Sequence, residues 1–228
     1  MLHPVGRRRG SAPYNSARSE NLKPETQIEA VVLDIGMVLL KFDFERSLQR
    51  MVGHCKVKPA EIIPTLVEDD LLTAYEVGAI TTAKFGEQAC NLIGFDGELS
   101  EFIEAWSDIF SYNEPMIARV RRWHAKGMPL YALSNTCESH VELFTRKFDV
   151  FQLFRGMVFS CREGLVKPDP LIYRRLIERY QLQPNHTLFV DDLSENVRAA
   201  AQLGFQAIQY NGEERLKVEL KRVGLEEG

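Results

Sequence analysis

Three short apolar runs in this chain each stop at a side chain that can do chemistry. That punctuation constrains the fold more than any other feature of the sequence. Residues 28–33 form the first run. Three of its five apolar residues are β-branched, and they are continuous rather than alternating, the pattern of a central parallel strand buried on both faces. The run ends at Asp34. Residues 129–133 end at Ser134 and Asn135, and residues 187–190 end at Asp191 and Asp192. Two more short strands are expected at 156–159 and 205–209, with Lys167 in the loop after the first of them. Helical spacing predicts helices at 138–148, 171–180, 194–203 and 214–223. Another carries Met116, Val120 and Trp123 between Pro115 and Gly127, a residue suited to the C′ position. Strands followed by helices make an α/β fold, a parallel sheet covered on both faces.

Residues 43–113 break that alternation. Phe44, Leu48, Met51 and Val52 repeat at helical spacing, as do Leu66, Val67 and Leu71, and Phe102, Trp106 and Ile109. Breaks are expected at Pro59, Pro64, Gly78, Gly94 to Gly97 and Pro115, and no strand run interrupts the stretch. About 70 helical residues are too many for one crossover helix, so the segment reads as a helical unit inserted into the α/β core. The expected organisation is an arm over 1–27, a core of 28–42 with 114–228, and a helical insertion over 43–113.

The chain has 28 basic and 32 acidic side chains, a net charge of −4, which suits a polyanionic partner poorly. No apolar run reaches the 18 or so residues of a membrane span. No nucleic-acid or membrane partner is therefore expected, and the protein reads as a monomer or homodimer. Cys55, Cys90, Cys137 and Cys161 contain no CxxC pair, and no histidine falls at finger spacing. They read as free thiols of a cytoplasmic protein. Residues 1–27 carry Arg7, Arg8 and Arg9 without an apolar stretch after them, so a flexible arm is expected rather than an export signal.

In an open parallel sheet the C-terminal strand ends gather at one crevice, however far apart they lie in sequence. Asp34, Asp191, Asp192, Ser134, Asn135 and Lys167 would meet there. Clustered carboxylates repel and need a cation, and hard oxygen donors suit Mg2+. An ammonium cannot bind that metal, but it can neutralise a second anion. Phosphate fits, because it bridges metal and lysine and accepts hydrogen bonds from Ser134 and strand-end amides. A carboxylate can also attack phosphorus. His140, six residues past Ser134, reads as a solvated helix residue, with a place on the crevice lining as the alternative.

The motifs Val32-Leu33-Asp34-Ile35-Gly36-Met37-Val38, Leu133-Ser134-Asn135-Thr136, Gly164-Leu165-Val166-Lys167-Pro168-Asp169 and Phe189-Val190-Asp191-Asp192-Leu193-Ser194-Glu195-Asn196 occur in this order. Together, over about residues 28–212, the chain resembles the haloacid dehalogenase-like (HAD) hydrolases, in their helical-cap branch, and within it the α-glucose-1-phosphate (sugar-phosphate) phosphatase group. The resemblance implies a Rossmann-like core with an all-helical cap at 43–113. It implies a Mg2+-dependent phosphomonoesterase acting on a small phosphorylated metabolite, a sugar phosphate among the options, through a phospho-aspartate. Carried over, Asp34 is the nucleophile and a metal ligand. Ser134 and Asn135 hold the phosphoryl group, and Lys167 orients Asp34 and offsets charge. The Gly36 carbonyl, Asp191 and Asp192 complete the metal site, Asp192 more directly.

One position departs from the pattern. Most phosphatases of this family have an aspartate two residues after the nucleophile, and this chain has Gly36 followed by Met37. Such a proton donor is worth about 10²–10⁴-fold. Asp43, Glu45, Glu68, Asp69 and Glu76 are the alternative acids within reach of the motif or on the insertion. A catalytically weak or inactive Mg2+- and phosphate-binding protein is the second reading. A 2-haloacid dehalogenase is the third, disfavoured because Tyr and Thr are missing from the first motif and because of the Asp191–Asp192 pair.

Overall fold

A computed structural model describes residues 27–225. The expected arm lies outside the described residues except at Gln27. The first strand, β1 (Ala30–Leu33), is fully buried. It is followed by β2 (Leu40–Phe42) and five helices: α1 (Phe44–Met51), α2 (Pro59–Glu68), α3 (Leu71–Glu76), α4 (Thr82–Ile93) and α5 (Leu99–Ser107). After β3 (Phe110–Tyr112) the alternating part resumes with α6 (Glu114–Ala125), β4 (Leu130–Ser134), α7 (Glu138–Lys147), β5 (Gly156–Phe159), α8 (Ser160–Glu163) and α9 (Pro170–Tyr180). The chain then runs through β6 (Thr187–Asp191), α10 (Ser194–Gln202), β7 (Gln206–Gln209) and α11 (Glu213–Arg222).

Five strands form one parallel sheet in the order β5-β4-β1-β6-β7. Successive side chains of a strand point to opposite faces, and the core divides accordingly. Val31 and Leu33 pack with Met116, Val120 and Trp123 of α6, Phe144 of α7 and Leu216 of α11. Ala30 and Val32 face the other way, against Ile172 and Leu176 of α9 and Ala200 of α10. The continuous apolar run at β1 is thus explained by two cores that share its alternate residues. This is a Rossmann-like sheet with a helical cap inserted after β1. The cap holds its own apolar cluster of Met51, Ile62, Leu66, Tyr75, Phe85, Phe102 and Trp106. Among the described residues no helix is long and apolar enough to cross a membrane. All four cysteines are free thiols.

Two expectations for the inserted segment need correction. Residues 110–112 are a strand, not helix: β3 pairs antiparallel with β2, Leu40 opposite Tyr112 and Phe42 opposite Phe110. The two chain crossings between core and cap form this ribbon. Three residues per strand are too few to show a period. Pro64 does not end a helix either, and α2 runs through it. Its ring removes one intrahelical donor on an exposed flank of the helix.

The cap is seated on the core through α3. The Tyr75 hydroxyl accepts a bond from the Ser139 amide (3.1 Å), and the Ser160 hydroxyl donates to the Glu76 carbonyl (2.7 Å). Gly78 makes the close approach possible. A Cβ there would lie 1.9 Å from the Cys161 carbonyl oxygen, at a backbone φ of +72° that side-chain-bearing residues rarely adopt.

Candidate active site

The sheet gathers its reactive side chains at the C-terminal ends of β1, β4 and β6. Asp34 follows β1 directly, and its backbone N–H donates to the Val190 carbonyl (2.9 Å), which holds it in register beside β6. Ser134 closes β4 and Asp191 closes β6, with Asp192 next. Carboxylate oxygens of Asp34, Asp191 and Asp192 lie within 4.8 Å of one another.

Lys167 sits among them. Its side chain is 1% exposed. The ammonium lies 2.8 Å from Asp34 Oδ1 and donates to Asp191 Oδ2 (2.7 Å) and the Leu133 carbonyl (3.0 Å). All three of its protons are matched, so this buried charge is fully paired. The flanking carboxylates hold Lys167 above its ordinary pKa against the opposing effect of burial, so it is an ammonium throughout the neutral range. Burial dominates at Asp34 and pushes it up to about 6, although Lys167 pulls it down. Asp192 is raised by burial and by its neighbour Asp191.

The three carboxylates are held differently. Asp34 Oδ1 takes both contacts, from the Lys167 ammonium and from the Ile35 amide (2.7 Å), and neither uses Oδ2. Asp191 is committed on both oxygens, to Lys167 through Oδ2 and to the Leu193 amide and Asn196 through Oδ1. The Asp192 carboxylate accepts no hydrogen bond from the described residues. Asn135 clasps the backbone of Lys167: its amide donates to the Lys167 carbonyl (2.9 Å) and its oxygen accepts from the Lys167 N–H (2.8 Å). That side chain is therefore a holder of the lysine loop. The Ser134 hydroxyl has only a long contact to the Asn135 carbonyl (3.4 Å) and remains available. The Gly36 carbonyl already accepts from the Val38 amide (2.6 Å), with one lone pair left over.

These groups floor a crevice of about 380 Å³. Two wall residues, Phe42 and His140, stand out. Phe42 lies over Gly36: a Cβ on Gly36 would meet the ring at 2.7 Å. A phenyl ring therefore occupies the space beside Asp34 that a side chain at position 36 would need. His140 corrects the reading of a solvated residue. It lies half-buried, stacked on Trp106 (5.7 Å, 11°) and against the edge of Phe110 (5.0 Å). Its Nε2–H donates to the Trp106 carbonyl (3.2 Å), and burial lowers its pKa to about 4, so it is neutral. Glu76 also lines the crevice, and burial raises its pKa.

The chain is similar to known proteins. Residues 74–204, more than half of the chain, match the family model described as haloacid dehalogenase-like hydrolase. The chain is 26% identical over 235 residues to acyl-CoA dehydrogenase family member 10 of Mus musculus, a match covering 97% of this chain and 21% of that protein. It spans 21–32% of the length of the first mouse and rat relatives it matches. It is 24% identical over 190 residues to the D-ribitol-5-phosphate phosphatase of Bacteroides thetaiotaomicron, covering 80% of this chain and 91% of that one. A HAD-family enzyme from the same bacterium, solved with magnesium and inorganic phosphate, superposes with a TM-score of 0.71 at 23% identity, over 82% of this chain and 96% of that one. At that identity the likeness concerns the fold.

Proposed function

Because the chain belongs to the haloacid dehalogenase-like hydrolases, we propose that it is a magnesium-dependent phosphomonoesterase that cleaves a small phosphate ester through a phospho-aspartate. One observation carries this reading: Asp34 stands within ion-pair distance of a fully matched Lys167 while Asp191 and Asp192 bring two more carboxylates to the same point. Such a set is repulsive without a divalent cation, and its hard oxygen donors fit magnesium. Asp34, Asp192 and the spare lone pair of the Gly36 carbonyl would hold the ion, and Asp191 would hold Lys167. When bound, the metal supplies charge neutralisation at the phosphoryl oxygens.

The chain's own residues do the rest. The Ser134 hydroxyl and the backbone amides at the end of β4 bind the phosphoryl oxygens, with Lys167 offsetting their charge. Asp34 Oδ2 attacks phosphorus in line as the bond to the alcohol oxygen breaks. Water then attacks the phospho-aspartate, the acyl-phosphate bond breaks, and the carboxylate and inorganic phosphate are restored. The departing alcohol needs a proton, and Gly36 has none to give. Among the described residues Glu76 is the one carboxyl of the crevice outside the Asp34, Asp191 and Asp192 cluster. Burial favours its protonated form, and we assign it the role of proton donor. Sugar phosphates are among the small esters the family resemblance suggests.

Phosphate release from a panel of monoesters tests this, with and without Mg2+, in the wild type and Asp34→Asn. Metal-dependent release abolished by Asp34→Asn is the expected outcome, and equal activity in the variant would refute the assignment. A second reading, a weak or inactive phosphate-binding protein, is favoured by the phenyl ring that fills the acid's position. Negligible turnover across the panel, with Mg2+ and phosphate still bound, would establish it.

A further inference from the structure

The crevice has a polar floor and apolar walls. Trp106, Ile109, Phe110 and Phe144 line one side, and Ile63 and Leu72 of the cap line another. Three large apolar side chains stand at its mouth and face water: Met37 (44% exposed), Phe42 (41%) and Phe44 (39%). They are not scattered. The Phe42 ring lies 5.6 Å from Phe44 and 5.6 Å from Phe110, so an aromatic shelf runs from solvent into the wall. Met37 holds a backbone φ of +55°, an uncommon conformation for a residue with a side chain. A contiguous apolar patch beside a reactive floor usually serves recognition.

Polar partners for a substrate's carbon skeleton are scarce on these walls. Beyond Asp34, Ser134, Asn135, Lys167 and Asp192, the polar side chains of the lining among the described residues are Thr136, His140, Glu76 and Asn196, and Asn196 already donates to Asp191. His140 already spends its N–H on the Trp106 carbonyl. No described arginine, and no described lysine beyond Lys167, lines the crevice, so a second phosphate or a carboxylate would find no cation. A polyhydroxylated substrate would bury several hydroxyls with few partners. Each one unmatched costs roughly five- to a hundredfold in affinity.

Resting on the phosphatase reading for the floor, we propose that the ester's alcohol is apolar: an alkyl or aryl group seated on the Phe42–Phe44 shelf and against Trp106 and Phe110, not a polyol. The phosphoryl group sits at Asp34, Ser134 and Lys167, and the carbon skeleton covers the aromatic mouth. A crevice of about 380 Å³ holds roughly a dozen water-sized volumes, at ~30 Å³ each. That admits a phosphoryl group and a chain of several carbons.

Binding of unreactive phosphonates to the full chain with Mg2+ tests this by calorimetry. Ethyl-, butyl-, hexyl- and octylphosphonate form the ladder, and 3,4-dihydroxybutylphosphonate is the polyol counterpart of the butyl compound. Affinity should rise by up to about fourfold per added methylene, and the dihydroxybutyl compound should bind more weakly than butyl. Phe44→Ser and Phe42→Ala, both at exposed positions that leave the core intact, should each flatten the ladder. A flat ladder in the wild type, or tighter binding of the diol, would overturn the proposal. Hydrolysis of the matching phosphate esters is scored separately. Turnover with a flat ladder strikes the apolar substrate and leaves the phosphatase standing; a steep ladder without turnover does the reverse. Absence of any phosphonate binding would overturn both.

Discussion

The ring of Phe42 in the place of the missing acid makes a double substitution informative. Gly36 lies outside the positive-φ region, so its backbone accepts a side chain, and space is the obstacle. An added Cβ would stand 2.7, 3.3 and 3.6 Å from three atoms of the Phe42 ring. Real contacts of this kind do not fall below 3.0 Å, so the ring has to move by several tenths of an ångström. Overpacking of this sort costs about 1–3 kcal/mol. The lower half of that range is expected for Gly36→Asp, because Phe42 is 41% exposed and can swing outward. Phe42→Ala alone should cost about 2 kcal/mol, less than the ~3–5 of a fully buried ring. In the double variant the collision is gone, so its stability loss should fall short of the sum by about 1 kcal/mol or more, as for residues in contact. Urea unfolding of the four proteins measures this. Kinetically, the carboxyl introduced by Gly36→Asp can protonate a leaving alcohol once the ring is removed. Turnover of a simple alkyl phosphate should rise, though by less than the ~10²–10⁴-fold worth of a general acid because Glu76 already offers a proton, while an aryl phosphate, whose leaving group needs little help, should change less still. Strict additivity of the stabilities would show that Phe42 does not occupy that space. An unchanged alkyl-to-aryl ratio would show that leaving-group protonation is already complete without an acid at this position.

Three other outcomes are expected. Lys167→Met leaves Asp34 and Asp191 buried without their shared ammonium, so the metal-free protein should lose about 3–5 kcal/mol at pH 7. That loss should shrink as acid protonates the carboxylates; a pH-independent loss in urea unfolding would contradict the ion-pair account. His140 is held near pKa 4 when folded and returns to about 6.5 when unfolded. The native state therefore binds fewer protons between those values, and stability falls as pH drops from 6.5 to 4, by roughly 3 kcal/mol in all. His140→Phe should remove that portion of the acid limb, and parallel curves for variant and wild type would refute it. The three carboxylates and one ammonium leave the floor with an excess of negative charge. Mg2+ should therefore raise phosphate affinity at least tenfold, and phosphate should raise Mg2+ affinity by the same factor; calorimetry showing independent binding would refute the shared site.

Much of the fold is legible in the sequence because it rests on short-range patterns. The β1 run has no polar interruption because Val31 and Val32 each face a core, and Gly156–Phe159 and Thr187–Asp191 stand within a residue of where alternation places them. The convergence of Asp34, Ser134, Lys167 and Asp191 follows from the direction of parallel strands. What stayed hidden depends on contacts between distant segments. The β2–β3 ribbon is three residues wide and leaves no period. Asn135 reads equally well as a ligand or a cap until the Lys167 backbone is seen in its grasp. His140 has the flanks of a surface residue, and only the cap, through Trp106, buries it. The ring of Phe42 over Gly36 joins residues on either side of a turn whose shape no propensity specifies.

The absent acid and the apolar mouth are two sides of one arrangement. Phe42 both fills the space beside Asp34 and begins the shelf that runs to Phe110. An apolar alcohol reaching from that shelf inward would displace water from around the departing oxygen, which strengthens electrostatic effects there. The proton must then come from the wall. Asp34 and Glu76 share the crevice but not the same surroundings. Asp34 lies against the Lys167 ammonium and would lie against a metal, and both favour its anion. Glu76 faces the neutral imidazole of His140, and burial favours its acid form. Burial raises both carboxyls, Asp34 to about 6, and the Lys167 ammonium, with a metal added, would draw Asp34 back to the anion a nucleophile needs while Glu76 keeps the proton a donor needs. The division holds only while His140 stays uncharged. Protonating it below about pH 4 would pull Glu76 toward its anion and remove the donor, so the neutral stacked imidazole is itself a condition of the chemistry.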